Sequence, residues 1–258
     1  MFFIVGTLAI TWLMQLPAAL ATLHAIPGPP ERYIGPAALG GFAPLVMAIL
    51  AARREKGRAG VRELFARVRI RGFNPLWFVV AVSMCGLVYV AGRGVYQLVA
   101  GSANAGKWLY LPQDAQHRAA MILVPIVEET GWRGFLQPRV QSRFGPLRAT
   151  FVVGGVWAAW HTMMFVVQAF SPFDFAIAML NVFAGAFLFT WLFNRTRGSL
   201  LVAILAHAGA HLNNPTQSLP ANPTPFIVYT VAVAVAAVAV VALDRKAWSD
   251  ATTTSTAT

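Results

Sequence analysis

Two adjacent carboxylates and an arginine stand inside an apolar run, Val127-Glu128-Glu129-Thr130-Gly131-Trp132-Arg133-Gly134-Phe135, and three histidines, His161, His207 and His211, stand in two later apolar runs. An ionised side chain at the centre of a bilayer costs about 2.5–3.5 kcal/mol or more, so such residues face a bundle interior and mark function. Glu129 precedes Arg133 by four positions, the favourable orientation for a helical ion pair, and that pairing accounts for both charges. Glu128 is rotated about 100° round the helix from its neighbour and has no partner in its own segment. Its partner is expected on another helix, with the histidines as candidates. A carboxylate beside an imidazole, in a cavity that admits water, can take a proton from that water and make it a nucleophile. A further imidazole N–H can stabilise the oxyanion formed when water attacks a carbonyl. That chemistry is hydrolysis. Gly131 and Gly134 on the same segment would let backbone or substrate approach closely.

The depths of these residues agree. Glu128 lies eleven residues before Arg139, His161 thirteen after Arg148 and His207 ten after Arg197. At the rise of an α-helix each is about 15–20 Å from the basic flank of its helix. Three helices thus deliver a carboxylate and two imidazoles to one stratum. Trp157, Trp160, Phe165, Phe170 and Trp191 are expected to serve as packing or interfacial anchors.

The elements that must position them are membrane spans. Of 258 residues, 57% are hydrophobic and 11% charged, far from the habit of soluble domains. Apolar segments long enough to cross a bilayer run over 1–23, 33–52, 76–101, 119–138, 149–170, 175–194, 198–213 and 225–243. The expected fold is an all-α polytopic membrane helical bundle of about eight transmembrane helices. The net charge of +11 would suggest nucleic acid in a soluble chain. Here, with the N-terminus cytoplasmic, alternation puts fifteen of the twenty basic residues on the inner side, leaving Arg32, Lys107 and Arg118 outside. That asymmetry obeys the positive-inside rule, so both termini are expected in the cytoplasm and no nucleic-acid partner is expected.

The first span is too long for the apolar core of a signal peptide, about 7–15 residues, and follows no basic stretch. Residues 1–118 form an N-terminal group of helices, interrupted by a basic loop at 53–74. Within that loop Val61, Leu64, Phe65 and Val68 follow helical spacing between arginines, as in a short helix lying on an anionic membrane surface. Residues 119–213 form the candidate catalytic core and 214–250 carry the last span. The threonine-rich 251–258 is expected to be a disordered tail. The single cysteine, Cys85, lies in a span and forms no intramolecular disulfide.

The run from Glu128 to Arg139, EETGWRGFLQPR, resembles the EExxxR motif of the CPBP family, the CAAX prenyl protease and bacteriocin-processing intramembrane endopeptidases. Trp157-Ala158-Ala159-Trp160-His161 resembles the family's second motif, an aromatic residue four before a histidine, and Arg197-Gly198-Ser199-Leu200 leading to His207 resembles its third. The resemblance covers roughly 119–213, and the basic loop followed by an apolar span at 53–95 also fits. It implies a glutamate-activated water that cleaves peptide bonds of membrane-associated proteins or peptides, with no required cofactor. By position Glu128 would be the base and His161 its partner in holding the water. His207 would help stabilise the oxyanion, with Glu129 and Arg133 in support.

One position departs from the pattern, because the family commonly has an asparagine where this chain has His211. A neutral imidazole can still donate an N–H, and Asn213 or Asn214 is an alternative source of the amide. His207 and His211 also form an i, i+4 pair which, with His161 and Glu128, makes zinc an alternative to metal-free chemistry. Two further readings compete with the protease: a non-catalytic bacteriocin-immunity or partner-binding membrane protein, and a proton-coupled transporter, which lacks the support of an inverted repeat. The Ala-, Arg- and Gly-rich composition suggests a bacterial plasma membrane.

Overall fold

The computed structural model describes residues 1–249; the threonine-rich tail at 251–258 lies outside the described residues. Among the described residues the chain is helical throughout, with no strand. Helices occupy all eight apolar segments. They are α1 (Phe2–Thr22), α2 (Ile34–Gly40) with α3 (Ala43–Phe65), α4 (Leu76–Ala100), α5 (Ala115–Glu129) continuing through a π-helix (Thr130–Leu136) into α6 (Gln137–Phe144), α7 (Pro146–Trp160) with α8 (Thr162–Val167), α9 (Pro172–Arg195), α10 (Leu200–Leu212) and α11 (Thr224–Leu243).

Six segments are long and apolar enough to cross a membrane, among them Pro30–Phe65 and Pro146–Val167. This is a multi-pass membrane protein. The two passes outside that set are α5 to α6, which carries Glu128, Glu129 and Arg133, and the 13-residue α10, which carries His207 and His211. Two of the passes that carry the site are thus one interrupted by a π-helix and one shorter than the rest.

Local chemistry explains the irregularity. Pro125 lacks the N–H that would continue the helical ladder, Pro138 repeats the loss further on, and Gly131 and Gly134 between them weaken the helix. The π-helix fills that interval. A methyl group at Gly131 would come within 2.7 Å of Pro44 Cβ and 2.9 Å of its carbonyl oxygen, and Gly134 faces Leu64 and Leu200. Both glycines thus admit neighbouring helices rather than substrate.

The basic loop is also ordered differently from expectation. α3 breaks at Lys56 and Gly57 and resumes to Phe65. Leu64 is buried against Gly134 while Phe65 and Val68 remain exposed, so the four apolar residues of the loop do not share one surface. The loop is tied to the start of α10: Ser199 Oγ donates to the Arg69 carbonyl at 2.7 Å and Leu200 N to that of Arg67 at 2.7 Å. Burial and the neighbouring charges of Arg139 and Arg69 push the Arg67 guanidinium below its ordinary range, with Glu63 opposing them.

α10 lies in the centre of the bundle against α4, α5 and α9. It approaches α4 most closely at Gly209, where a methyl group would meet the Val82 backbone carbonyl. Because that obstacle is backbone, it cannot be relieved by a rotamer change. Gly209→Ala is expected to destabilise the bundle by about 1–3 kcal/mol, seen as a lowered thermal midpoint of the detergent-purified protein; an unchanged midpoint would mean that the two helices separate freely.

Candidate active site

The centre of the site is a fully buried ion pair. Arg133 Nη1 donates to Glu129 Oε1 at 3.0 Å, and neither side chain has any exposure. The rest of the guanidinium lies against ring faces, 4.6 Å from the centroid of Trp157 and 5.2 Å from that of Phe189, where the aromatic quadrupole favours a cation. The same Glu129 oxygen receives His207 Nδ1 at 2.9 Å. Glu129 therefore does more than neutralise Arg133, as the i, i+4 spacing suggested: from the end of α5 it joins Arg133 of the π-helix to His207 of α10.

Glu128 faces the other way. Its Oε2 accepts a hydrogen bond from Trp157 Nε1 at 2.7 Å. The expectation that a histidine would bond Glu128 directly is corrected here, as is the assignment of Trp157 to packing alone. The signal was present in Trp157 lying four residues before His161, which puts both on one face of α7. Trp160 and Trp191 keep anchoring roles: Trp160 Nε1 donates to Thr11 Oγ1 at 2.8 Å and Trp191 Nε1 to Asp244 Oδ2 at 2.7 Å.

His161 caps α7, and its Nδ1 lies 2.8 Å from the Trp157 carbonyl oxygen. A carbonyl only accepts, so Nδ1 carries the proton and Nε2 of the neutral ring is left as an acceptor. The ring stacks on Phe165 and meets Trp160 edge-on, which fixes its plane. The same reasoning gives His207 its proton on Nδ1, toward Glu129. Its Nε2 lies 3.2 Å from Nε2 of His211, so in the neutral pair His211 is the donor. The two rings are stacked with centroids 5.0 Å apart.

Glu128, Trp157, His161, His207 and His211 line one cavity of about 280 Å³, together with Asn214 and Thr216. All the depth-matched residues thus meet around a single space. Asn213 is committed elsewhere, its Oδ1 accepting from Tyr110 N at 2.7 Å. Of the two, Asn214 lines the cavity, its Oδ1 accepting from Thr216 N and Oγ1. The four side chains considered as zinc donors share the cavity, but among the described residues no three His, Cys, Asp or Glu side chains converge with metal-ligand geometry.

The chain is thus a multi-pass helical bundle with a carboxylate and three imidazoles around one cavity. Residues 115–213 match the family described as type II CAAX prenyl endopeptidase Rce1-like. The chain is also similar to CAAX prenyl protease 2 of Methanococcus maripaludis, 25% identical over 134 residues, covering 49% of each protein. The aligned part spans about half the length of that relative. The motif-bearing segment is thus similar to these endopeptidases.

The two adjacent glutamates are expected to behave oppositely in stability. Glu129→Gln leaves the Arg133 charge buried without its partner and is expected to cost about 3–5 kcal/mol, whereas Glu128→Gln, which keeps an acceptor for Trp157, should melt close to wild type. Thermal unfolding of both variants in detergent checks this, and equal losses would contradict the division of roles.

Proposed function

We propose that this chain is an intramembrane endopeptidase that hydrolyses peptide bonds of membrane-associated polypeptides with a water activated by Glu128. The observation that carries the reading is the orientation of the Glu128 carboxylate: one oxygen is held by Trp157 Nε1 at 2.7 Å, and the group lines a cavity shared with His161 and His211. The match of 115–213 to the endopeptidase family and the similarity to a protein named CAAX prenyl protease 2 support it.

In this mechanism a water lies between Glu128 and the unprotonated Nε2 of His161. Glu128 takes one proton as the water oxygen bonds to the scissile carbonyl carbon. The oxyanion is met by the N–H of His211, which turns from His207 to the new charge, so that His211 acts where the family commonly has an amide. Collapse breaks the C–N bond, and Glu128 returns its proton to the leaving amine. His207 holds His211 in place and is itself held by Glu129 and, through it, Arg133. We place the protein in the plasma membrane with its basic loops and both termini in the cytoplasm, following the charge asymmetry.

Comparison of new protein termini in membranes of cells carrying wild type or Glu128→Gln at equal expression is expected to show a set that vanishes in the variant. An identical set would favour the non-catalytic immunity or partner-binding reading. On a substrate found this way, His211→Asn should retain turnover while His211→Ala lowers kcat by about 10²-fold. Dialysis against a chelator should leave wild-type activity unchanged; loss restored by zinc would favour the alternative in which His207 and His211 are metal ligands.

A further inference from the structure

Residues 101–114 connect α4 to α5 without a helix, and irregular backbone within a bundle needs a partner for each buried N–H and carbonyl. α4 supplies the first of them. Arg93, buried on α4, donates from Nη1 to Gln97 Oε1 and from Nη2 to the Gly106 carbonyl at 3.1 Å, and its guanidinium carbon lies 3.7 Å from the centroid of the Trp108 ring. Tyr89 Oη donates to the Lys107 carbonyl at 2.6 Å, and Lys107 N donates to Tyr110 Oη at 3.2 Å. Neither Arg93 nor Tyr89 lines the site cavity. What they hold is the stretch from 106 to 110.

That stretch in turn grips the end of α10. Asn213, where the chain leaves helical geometry at φ −129° and ψ 86°, is buried. Its Oδ1 accepts from Tyr110 N at 2.7 Å and its Nδ2 donates to the Trp108 carbonyl at 3.4 Å. The Tyr110 carbonyl accepts from Asn214 N at 3.2 Å and from Gln217 Nε2 at 3.1 Å. Both main-chain polar groups of Tyr110 are thus committed to the segment that follows α10. The last carbonyls of a helix have no intrahelical partner and its last turn frays, so this clasp fixes a turn that the helix alone would leave loose. His211 stands in that turn, two residues before Asn213.

We propose that Asn213 and Tyr110 are positioning residues for the reaction. Their clasp holds the last turn of α10 still while the His211 ring turns from His207 to the oxyanion, and Arg93 with Tyr89 ties the clasp to α4. The need for such a hold is geometric, because misplacing a catalytic group by about 1 Å can cost on the order of 10²-fold in rate. The catalytic use of His211 rests on the hydrolytic reading proposed above; the hold on its ring does not.

Two measurements on the detergent-purified full chain test this. Nitrogen NMR of labelled histidine rings, with His211 assigned by its loss in His211→Asn, reads the bond between His211 and His207 without turnover. Asn213→Ala is expected to shift the His211 ring signals toward those of an unbonded imidazole. Gln217→Ala, which removes one bond to Tyr110 at an exposed position, is expected to give a smaller shift in the same direction and serves if Asn213→Ala does not fold. Unchanged His211 signals in both variants overturn the proposal, whether or not the protein hydrolyses anything. On a substrate found from new termini, Asn213→Ala is expected to lower kcat by on the order of tenfold with KM within about twofold, and to have no further effect in a His211→Ala background. Equal losses in the two backgrounds overturn action through His211. The expected ring shift in a protein without turnover would remove the hydrolytic reading and leave the clasp in place.

Discussion

Arg133 has no route to water, so its charge must be neutralised inside the bundle, and Glu129 is the group that does so. An isolated buried charge is destabilising by several kcal/mol, whereas a pair that is well placed and further bonded is tolerated. Here the placement needs five elements at once: the end of α5 supplies Glu129 and the π-helix Arg133, α7 and α9 supply the Trp157 and Phe189 faces, and α10 brings His207 to the same oxygen of Glu129 that Arg133 bonds. Any rotation of one helix breaks a contact of another. The polar centre thus sets the mutual rotation of helices whose apolar surfaces, nearly uniform along α10 and α11, would otherwise specify little.

That constraint also explains why Glu128 is turned toward the cavity. The π-helix begins directly after the two glutamates, and neighbouring side chains on a helix point about 100° apart. With Glu129 locked toward Arg133 and His207, Glu128 is turned toward α7, where Trp157 meets it. One residue of the pair is spent on structure so that the other is presented at a fixed angle to the cavity. Single-turn π insertions inside α-helices occur often at functional sites for this reason.

Much of this was legible in the residues themselves. The eight helical passes follow from runs of apolar residues, and the convergence of Glu128, His161 and His207 follows from counting rises along helices from their basic flanks. What escaped depends on rotation and direction. Hydropathy counts Trp157 as apolar bulk and carries no information on where its N–H points. The bond between Glu129 and His207 joins positions 78 apart in sequence, and one chain read alone does not tell which of two adjacent carboxylates an imidazole on another helix will meet. The apolar pattern at Val61, Leu64, Phe65 and Val68 was real, but Gly134 leaves room for Leu64 alone, and tertiary packing overrode the amphipathic stripe.

The shortness of α10 bears on how a site inside a membrane stays wet. Thirteen residues rise about 20 Å against a hydrocarbon thickness of about 30 Å. The helix starts at the basic end, where Ser199 caps it, so its last turn, with His211, stops short of the far surface. The chain continues as the 3₁₀ turn Pro215–Ser218 and irregular backbone bonded to Tyr110. Non-helical backbone at such depth is tolerated only where it is buried in protein or lines a water-filled cavity. Asn214, Thr216 and Gln217 line a cavity of about 500 Å³. The early end of α10 and the polar turn after it are therefore two aspects of one arrangement, in which the bundle gives up part of a span to bring solvent down to the histidines.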